Sequence, residues 1–177
     1  RQDPDVILIG EIRDGDTAAM GLRASQTGHL VLSTVHANDS SGAVPRLKDL
    51  GMQDFMISSS LLCVIAQRLV RALCPYCKRA YESGEQEHQV FGIQPGTTIY
   101  AAVGCPRCIK TGYLGRLMVA ELLVVSKDIE RLISTGAHPF EIKEKAIEEG
   151  MVTLRGDGVR KILAGKTSFA EALRVLR

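Results

Sequence analysis

The chain has 177 residues, 45% of them apolar and 24% charged, with a formal net charge of +2. Those proportions describe a globular protein rather than a disordered one, and so small a net charge gives no field that argues for nucleic acid as the main partner. The longest apolar run, Leu61 to Ala66, is too short for a bilayer span and is followed by Gln67, Arg68 and Arg71. No signal peptide is expected from this sequence.

In chain order, Val6 to Ile9 is apolar without alternation, the pattern of a strand buried on both faces of a parallel sheet. Glu11 follows it. In open α/β sheets ligands sit outside the carboxyl ends of the strands, so this carboxylate belongs at a crevice edge, where it can orient a water or help hold a metal. Asp14-Gly-Asp16 offers an N-cap for a helix to about Ser25, and Gly28 stops it. A second apolar run, Leu30 to Leu32 with Val35, is preceded by His29 and followed by His36, which completes a βαβ rhythm. A short helix is expected from Ser40 to Leu50, with Pro45 near its start and Gly51 at its end. Residues 57 to 73 read as one long helix, because Leu62, Ile65, Leu69 and Leu73 recur at three- and four-residue spacing. Arg68 and Arg71 at its end either complement the helix dipole or face phosphate or a neighbouring subunit.

Four of the five cysteines form two pairs, Cys74-Pro-Tyr-Cys77 and Cys105-Pro-Arg-Cys108, with 27 residues between them. Paired Cys-x-x-Cys knuckles suit tetrahedral thiolate coordination of Zn²⁺ in a reducing compartment, with disulfides or empty thiols as the alternatives. The separation exceeds the common zinc-ribbon range and implies a small elaborated loop or hairpin. Cys63 reads as a buried apolar residue. Between the pairs, residues 82 to 89 are polar and acidic, and Thr97 to Val103 suit a strand. Gly112 and Gly115 permit a turn before a strand from Leu117 to Val125, and Tyr113 is either a packing residue or a nucleotide stacker. The rest is helical: Ser126 caps one helix, Pro139 opens a second, a third holds Val159, Ile162 and Leu163, and a Ser168 to Glu171 capping box starts the last.

Asp3-Pro-Asp-Val-Ile-Leu-Ile-Gly-Glu-Ile-Arg-Asp14 followed by Thr27-Gly-His-Leu-Val-Leu-Ser-Thr-Val-His36 resembles the Walker B and histidine boxes of the ATPases of type II secretion and type IV pilus assembly. Gln67-Arg-Leu-Val-Arg71 leading into the first knuckle is more like the type II secretion branch. Thr111-Gly-Tyr-Leu-Gly-Arg116 with Glu121, and the segment from Thr153 to Arg160, extend the likeness over nearly the whole chain. Gly10 stands where generic P-loop proteins carry a metal-facing Asp, a feature this family shares.

The resemblance implies the fold class α/β: a partial RecA-like P-loop NTPase core (residues 1–73), a small zinc-binding subdomain (74–120) and a helical C-terminal tail (121–177). Glu11 would polarise the attacking water and His29 would sense the γ-phosphate, with Gly10, Arg13 and His36 at the bound nucleotide. The implied cofactors are ATP, Mg²⁺ and Zn²⁺, the last on Cys74, Cys77, Cys105 and Cys108. The implied partners are the other subunits of a homohexamer and inner-membrane platform proteins, with a cytoplasmic location, membrane association through partners and no direct nucleic acid. No Gly-x-x-x-x-Gly-Lys-Ser/Thr occurs in the sequence, and Gly165-Lys-Thr lacks the glycine-rich lead and preceding strand of a P-loop. The expectation is therefore the C-terminal part of a longer ATPase whose P-loop lies upstream, inactive as the isolated fragment. A pilus extension ATPase is the nearest alternative. A non-enzymatic zinc-ribbon adaptor, perhaps for nucleic acid, is the alternative of another class, although aromatics are only 5% and the basic residues are scattered.

Overall fold

The computed structural model describes residues 4–176, so Asp3, at the head of the first motif, lies outside the described residues. The chain divides into two compact units, each discontinuous in sequence: residues up to Ala66 with Leu122–Met151, and Gln67–Glu121 with the residues from Val152 onward.

In the first unit, β1 (Val6–Ile9) and β2 (Leu30–Ser33) pair in parallel, Val6 opposite Leu30 and Ile9 opposite Ser33. They are joined by α1 (Gly15–Gln26), capped by Asp14, whose carboxylate accepts the Thr17 N–H at 2.8 Å. Ala18, Gly21 and Leu22 are the buried positions of α1. At Gly21 a Cβ would lie 3.1 Å from Ile9 Cδ1, so the missing side chain lets helix and strand approach closely. The opposite strand face is open: Val6, Leu8, Leu30 and Leu32 are exposed, Leu8 by 77%. The expectation of a strand buried on both faces is thus met on one face only, because no element among the described residues covers the other.

The short helices α2 (Ala43–Asp49) and α3 (Asp54–Ser60) follow, and α5 (Lys127–Ser134) and α6 (Pro139–Glu148) close the unit. Leu22, Val44, Leu47, Ile57, Leu123, Ile129, Ile133, Ile142 and Ala146 make its core.

The long helix expected over residues 57–73 is absent. The chain leaves α3 at Leu61 and runs as β3 (Cys63–Leu73), which pairs with β6 (Tyr113–Val124). The three- and four-residue stripe is misleading: Leu62, Ile65 and Leu69 are exposed, whereas Val64, Ala66, Val70 and Ala72 are the more buried positions, an alternation of period two. Both strands cross the boundary between the units. Cys63, expected to be buried, is exposed on β3.

In the second unit, β4 (Arg79–Glu82) and β5 (Thr98–Ala101) form an antiparallel pair joined through α4 (Glu85–Phe91). The helices α7 (Leu154–Leu163) and α8 (Phe169–Val175) supply Ile162, Phe169 and Ala172 to a core with Phe91, Ile93 and Ile99. The Phe91 and Phe169 rings meet edge to face at 5.7 Å. Residues 121–177 therefore do not form a separate tail: α5 and α6 belong to one core, α7 and α8 to the other. The continuous divisions 1–73, 74–120 and 121–177 give way to two interleaved units.

Two buried carboxylates organise the second unit. Glu121, 2% exposed, accepts the Leu154 N–H at 2.9 Å and so satisfies a free donor at the start of α7. Glu171, 1% exposed, takes Arg71 through Nε at 2.9 Å and Nη2 at 2.6 Å, the Arg71 backbone N–H at 3.0 Å, and Arg174. Ser168 caps α8 by accepting the Glu171 N–H, but the Glu171 carboxylate turns to the arginines instead of closing the expected box.

Candidate functional site

The loops after β1 and β2 are clipped together past the ends of the strands. Ile12 N–H donates to Thr34 O at 2.9 Å and Thr34 Oγ1 donates to the Gly10 carbonyl at 2.8 Å. This brings Glu11, Arg13 and His36 to the carboxyl ends of two adjacent parallel strands, the edge where open α/β sheets bind ligands. Glu11 Oε2 accepts Arg13 Nε at 2.6 Å and lies 2.5 Å from its terminal nitrogen, while Oε1 lies 2.7 Å from His36 Nε2. The Arg13 hydrogen bond holds the Glu11 carboxyl below its ordinary value, against the opposing effect of desolvation, and the His36 ring lowers it further. Glu11 is therefore ionised at neutral pH. A carboxylate whose hold on a proton is lowered in this way is better suited to orienting a water than to removing its proton.

Beyond His36, Asp39 orders the chain: Oδ1 accepts Gly42 N–H at 2.9 Å and Ser41 Oγ at 3.1 Å, and Oδ2 pairs with Lys143 Nζ at 2.7 Å. The Asp-Ser-Ser-Gly turn pattern of residues 39–42 is the sequence signal that could have pointed to this support. The Thr34 clip carries no such signal, since it depends on strand register.

The other residues assigned from sequence are distributed differently. Gly10 contributes its carbonyl to the clip and has open space where a Cβ would stand. His29 is not at this edge. Its Nδ1 lies 3.0 Å from Ala24 O and 3.1 Å from Thr27 Oγ1, and its backbone N–H donates to Ala24 O, so it fastens the end of α1 to the start of β2. Parallel pairing sets it opposite the start of β1, five residues before Thr34, or about 16 Å along the strand at roughly 3.3 Å per residue. Placing His29 with Glu11 at a γ-phosphate therefore needs correction: the histidine beside Glu11 is His36. The physical reason is direction, because residues flanking the two ends of one strand cannot meet at one edge.

Arg71 and Tyr113 are also settled locally. The Arg71 guanidinium lies 4.1 Å over the Tyr113 ring, and Tyr113 Oη shares a 2.7 Å hydrogen bond with Ser168 Oγ. Arg71 binds the carboxylate of Glu171, and Tyr113 is a packing residue.

The four paired cysteines converge. Their sulfurs all lie within 4.8 Å of one another, at 3.9 Å for Cys74 and Cys105, 3.8 Å for Cys77 and Cys108, and 3.7 Å for Cys105 and Cys108. Four bonds of about 2.3 Å in tetrahedral array set sulfurs about 3.8 Å apart, so these three separations suit a zinc ion. Backbone N–H groups already point at sulfur: Gly104 to Cys77 at 3.3 Å, and Cys105 and Gly112 to Cys108, each at 3.2 Å. Burial pushes the Cys77 thiol up to about 12. Burial acts the same way on Cys108, but the N–H donors of Cys105 and Gly112 outweigh it and bring that thiol down to about 6. Gly112 is required here: its φ is +77° and a Cβ would fall 2.6 Å from that of Ala102.

The chain thus combines an α/β unit, with an acid, an arginine and a histidine at one strand edge, with a four-cysteine cluster of metal-binding type. Its fold has counterparts among solved structures. It matches the crystal structure of the Legionella pneumophila ATPase DotB with a TM-score of 0.65 at 19% identity, over 98% of this chain and 39% of that one. The chain belongs to the type II/IV secretion system protein family, whose model matches residues 1–174. It is 46% identical to the type II secretion system protein E of Dickeya dadantii, over the whole of this chain and 35% of that protein. It is also 46% identical to the type IV pilus assembly ATPase TfpB of Acinetobacter baylyi, over 99% of this chain and 31% of that protein. The chain thus spans about a third of the length of these relatives. No helix among the described residues is long and apolar enough to cross a membrane.

Proposed function

We propose that the chain is the C-terminal part of a hexameric cytoplasmic ATPase that powers type II protein secretion. The observation that carries this reading is the Glu11, Arg13 and His36 constellation at the carboxyl edge of β1 and β2. In it Glu11 orients the water that attacks the γ-phosphate, Arg13 holds the carboxylate in place through Oε2, and His36 lies against its other oxygen at the same edge. ATP and Mg²⁺ supply the phosphoryl group and its charge neutralisation, held largely by a P-loop outside the given sequence. The chain contributes the carboxylate edge and no phosphate cradle of its own. His29 acts at a distance, by fixing the start of β2. Assembly into a homohexamer on an inner-membrane platform follows from the family resemblance. Type IV pilus assembly uses the same site chemistry, and the equal identities to the two branches leave it as the second reading.

Zinc on Cys74, Cys77, Cys105 and Cys108 is the structural half of the proposal. The four thiolates would fill every position of a tetrahedral zinc, which would leave none open for chemistry, and the ion would serve to hold the knuckles together.

Two measurements test the function. The 177-residue chain should show no magnesium-dependent ATP hydrolysis, and hydrolysis by it would overturn the division of the site. In the longer protein, Glu11→Gln should keep nucleotide affinity and lower turnover by on the order of a hundredfold, the scale of a positioned base or water-orienting group. Turnover at the parent rate would refute the role of Glu11.

A further inference from the structure

We propose that Thr34 is a positioning residue for ATP hydrolysis, holding the backbone on both sides of Glu11. The β1–β2 ladder ends with Ile9 opposite Ser33. Beyond that pair the two loops stay joined through Thr34: its carbonyl accepts the Ile12 N–H at 2.9 Å, and its hydroxyl donates to the Gly10 carbonyl at 2.8 Å. Those groups belong to the two planar peptide units that flank the Glu11 Cα. One residue thus fixes both ends of the segment from which the carboxylate projects.

The residue type points to the hydroxyl. Threonine and valine are both β-branched and similar in size, and Thr34 is exposed, so neither strand preference nor burial asks for the oxygen. What the oxygen adds is the bond to Gly10. That residue has no side chain to pack, and open space stands where its Cβ would be, so its backbone is what can be held.

The head of the Glu11 side chain is restrained differently. Arg13 belongs to the same loop and moves with it, so its contacts with Oε2 fix the carboxylate within that loop only. His36 crosses to Oε1 at 2.7 Å, but its side chain is 85% exposed. A contact so open to solvent is a weak tether. The Thr34 bonds, two residues before His36, set the spacing of the two loops and hence the place from which Glu11 meets a water. A displacement of about 1 Å at a reacting centre costs up to about a hundredfold in rate.

The proposal rests on the reading of Glu11 as the water-orienting group, and steady-state ATP hydrolysis by the longer protein tests the two apart. Thr34→Val removes the hydroxyl at nearly constant shape and should lower kcat about thirtyfold, with KM for ATP within about twofold of the parent. Thr34→Ser keeps a donor at the same place and should stay within about threefold of the parent. Both variants should melt close to the parent, since the position is exposed. A merely structural loss would recur in any background. In Glu11→Gln protein, by contrast, Thr34→Val should lower turnover by no more than about a further twofold, because the group it positions is already gone. The proposal is overturned by parental turnover of Thr34→Val, by Thr34→Ser as slow as Thr34→Val, or by the full loss recurring in Glu11→Gln protein. Parental turnover of Glu11→Gln itself would overturn the reading of the site along with it.

Discussion

The carboxylate edge and the cysteine cluster are both built from short motifs, but they differ in how much of their chemistry the chain supplies. The Glu11 carboxylate itself makes only charge contacts with partners near the surface, Arg13 and His36 both being largely solvated. The edge aligns groups without enclosing anything. Around Cys108 the ligands are buried or half-buried, the donors are backbone N–H groups, and a glycine is fixed by steric contact. The cluster is complete without another chain. A motif that recruits a ligand can thus be local and open, whereas one that substitutes for a core must satisfy its own polar atoms.

That contrast makes the metal centre the place where a single substitution does most damage. Cys74→Ser or Cys108→Ser should release zinc and loosen residues 74–108, since structural thiolate sites contribute on the order of 10 kcal/mol of apparent folding free energy. Elemental analysis with hydrogen exchange reads both outcomes. Zinc absent from parent protein purified reduced and without chelator would remove the metal from this account.

The next effect in size is electrostatic. Burial opposes ionisation of Glu171, but Arg174, Arg71 and the Arg71 backbone N–H bring its carboxyl down from 4.5 to about 2. Because the folded value is depressed, the stabilisation is fully present above about pH 4.5 and is lost as pH falls through about 2. The shift corresponds to roughly 3 kcal/mol near neutrality. Glu171→Gln should lose stability of that order at pH 7 in urea unfolding, and the difference from the parent should shrink on acidification. A pH-independent difference would contradict the pairing.

Three smaller changes sharpen the contrast between framework and edge. His29→Ala removes hydrogen bonds at the end of α1 and should cost about 1 kcal/mol of stability, whereas His36→Ala should be nearly neutral in thermal unfolding. Ile109 stands at φ 51°, and Ile109→Asn should stabilise the second unit by up to about 1 kcal/mol, by placing a residue tolerant of the left-handed region there.

Where local chemistry decides structure, the sequence was legible. Asp14, Ser126, Pro139 and Ser168 open helices as their residue types require, and the spacing of the cysteines anticipated their convergence. The chain was misread where two periods overlap. Residues 62–73 carry a helical stripe and a strand alternation at once, and only tertiary packing shows which set is buried. β4 and α4 carry no periodic signal, the first being the short mixed run from Arg79 to Glu82 and the second polar and acidic, although Glu87 closes a turn by accepting the Gly84 N–H. Arg174 is a local partner of Glu171, but Arg71 lies 100 residues away, beyond the reach of any local pattern. Glu11 was legible as a strand-end carboxylate, but the choice between His29 and His36 needed the direction of β2.

That choice carries the central claim, that the reacting edge is the carboxyl end of β1 and β2. The direct measurement compares steady-state ATP turnover of His36→Ala and His29→Ala in the longer protein, with nucleotide affinity and thermal stability recorded for each. The account predicts a drop of about a hundredfold or more for His36→Ala, the scale of a group acting at the reacting atoms, and near-parental turnover for folded His29→Ala. A severe loss in a stably folded His29→Ala protein, with His36→Ala close to the parent, would contradict it.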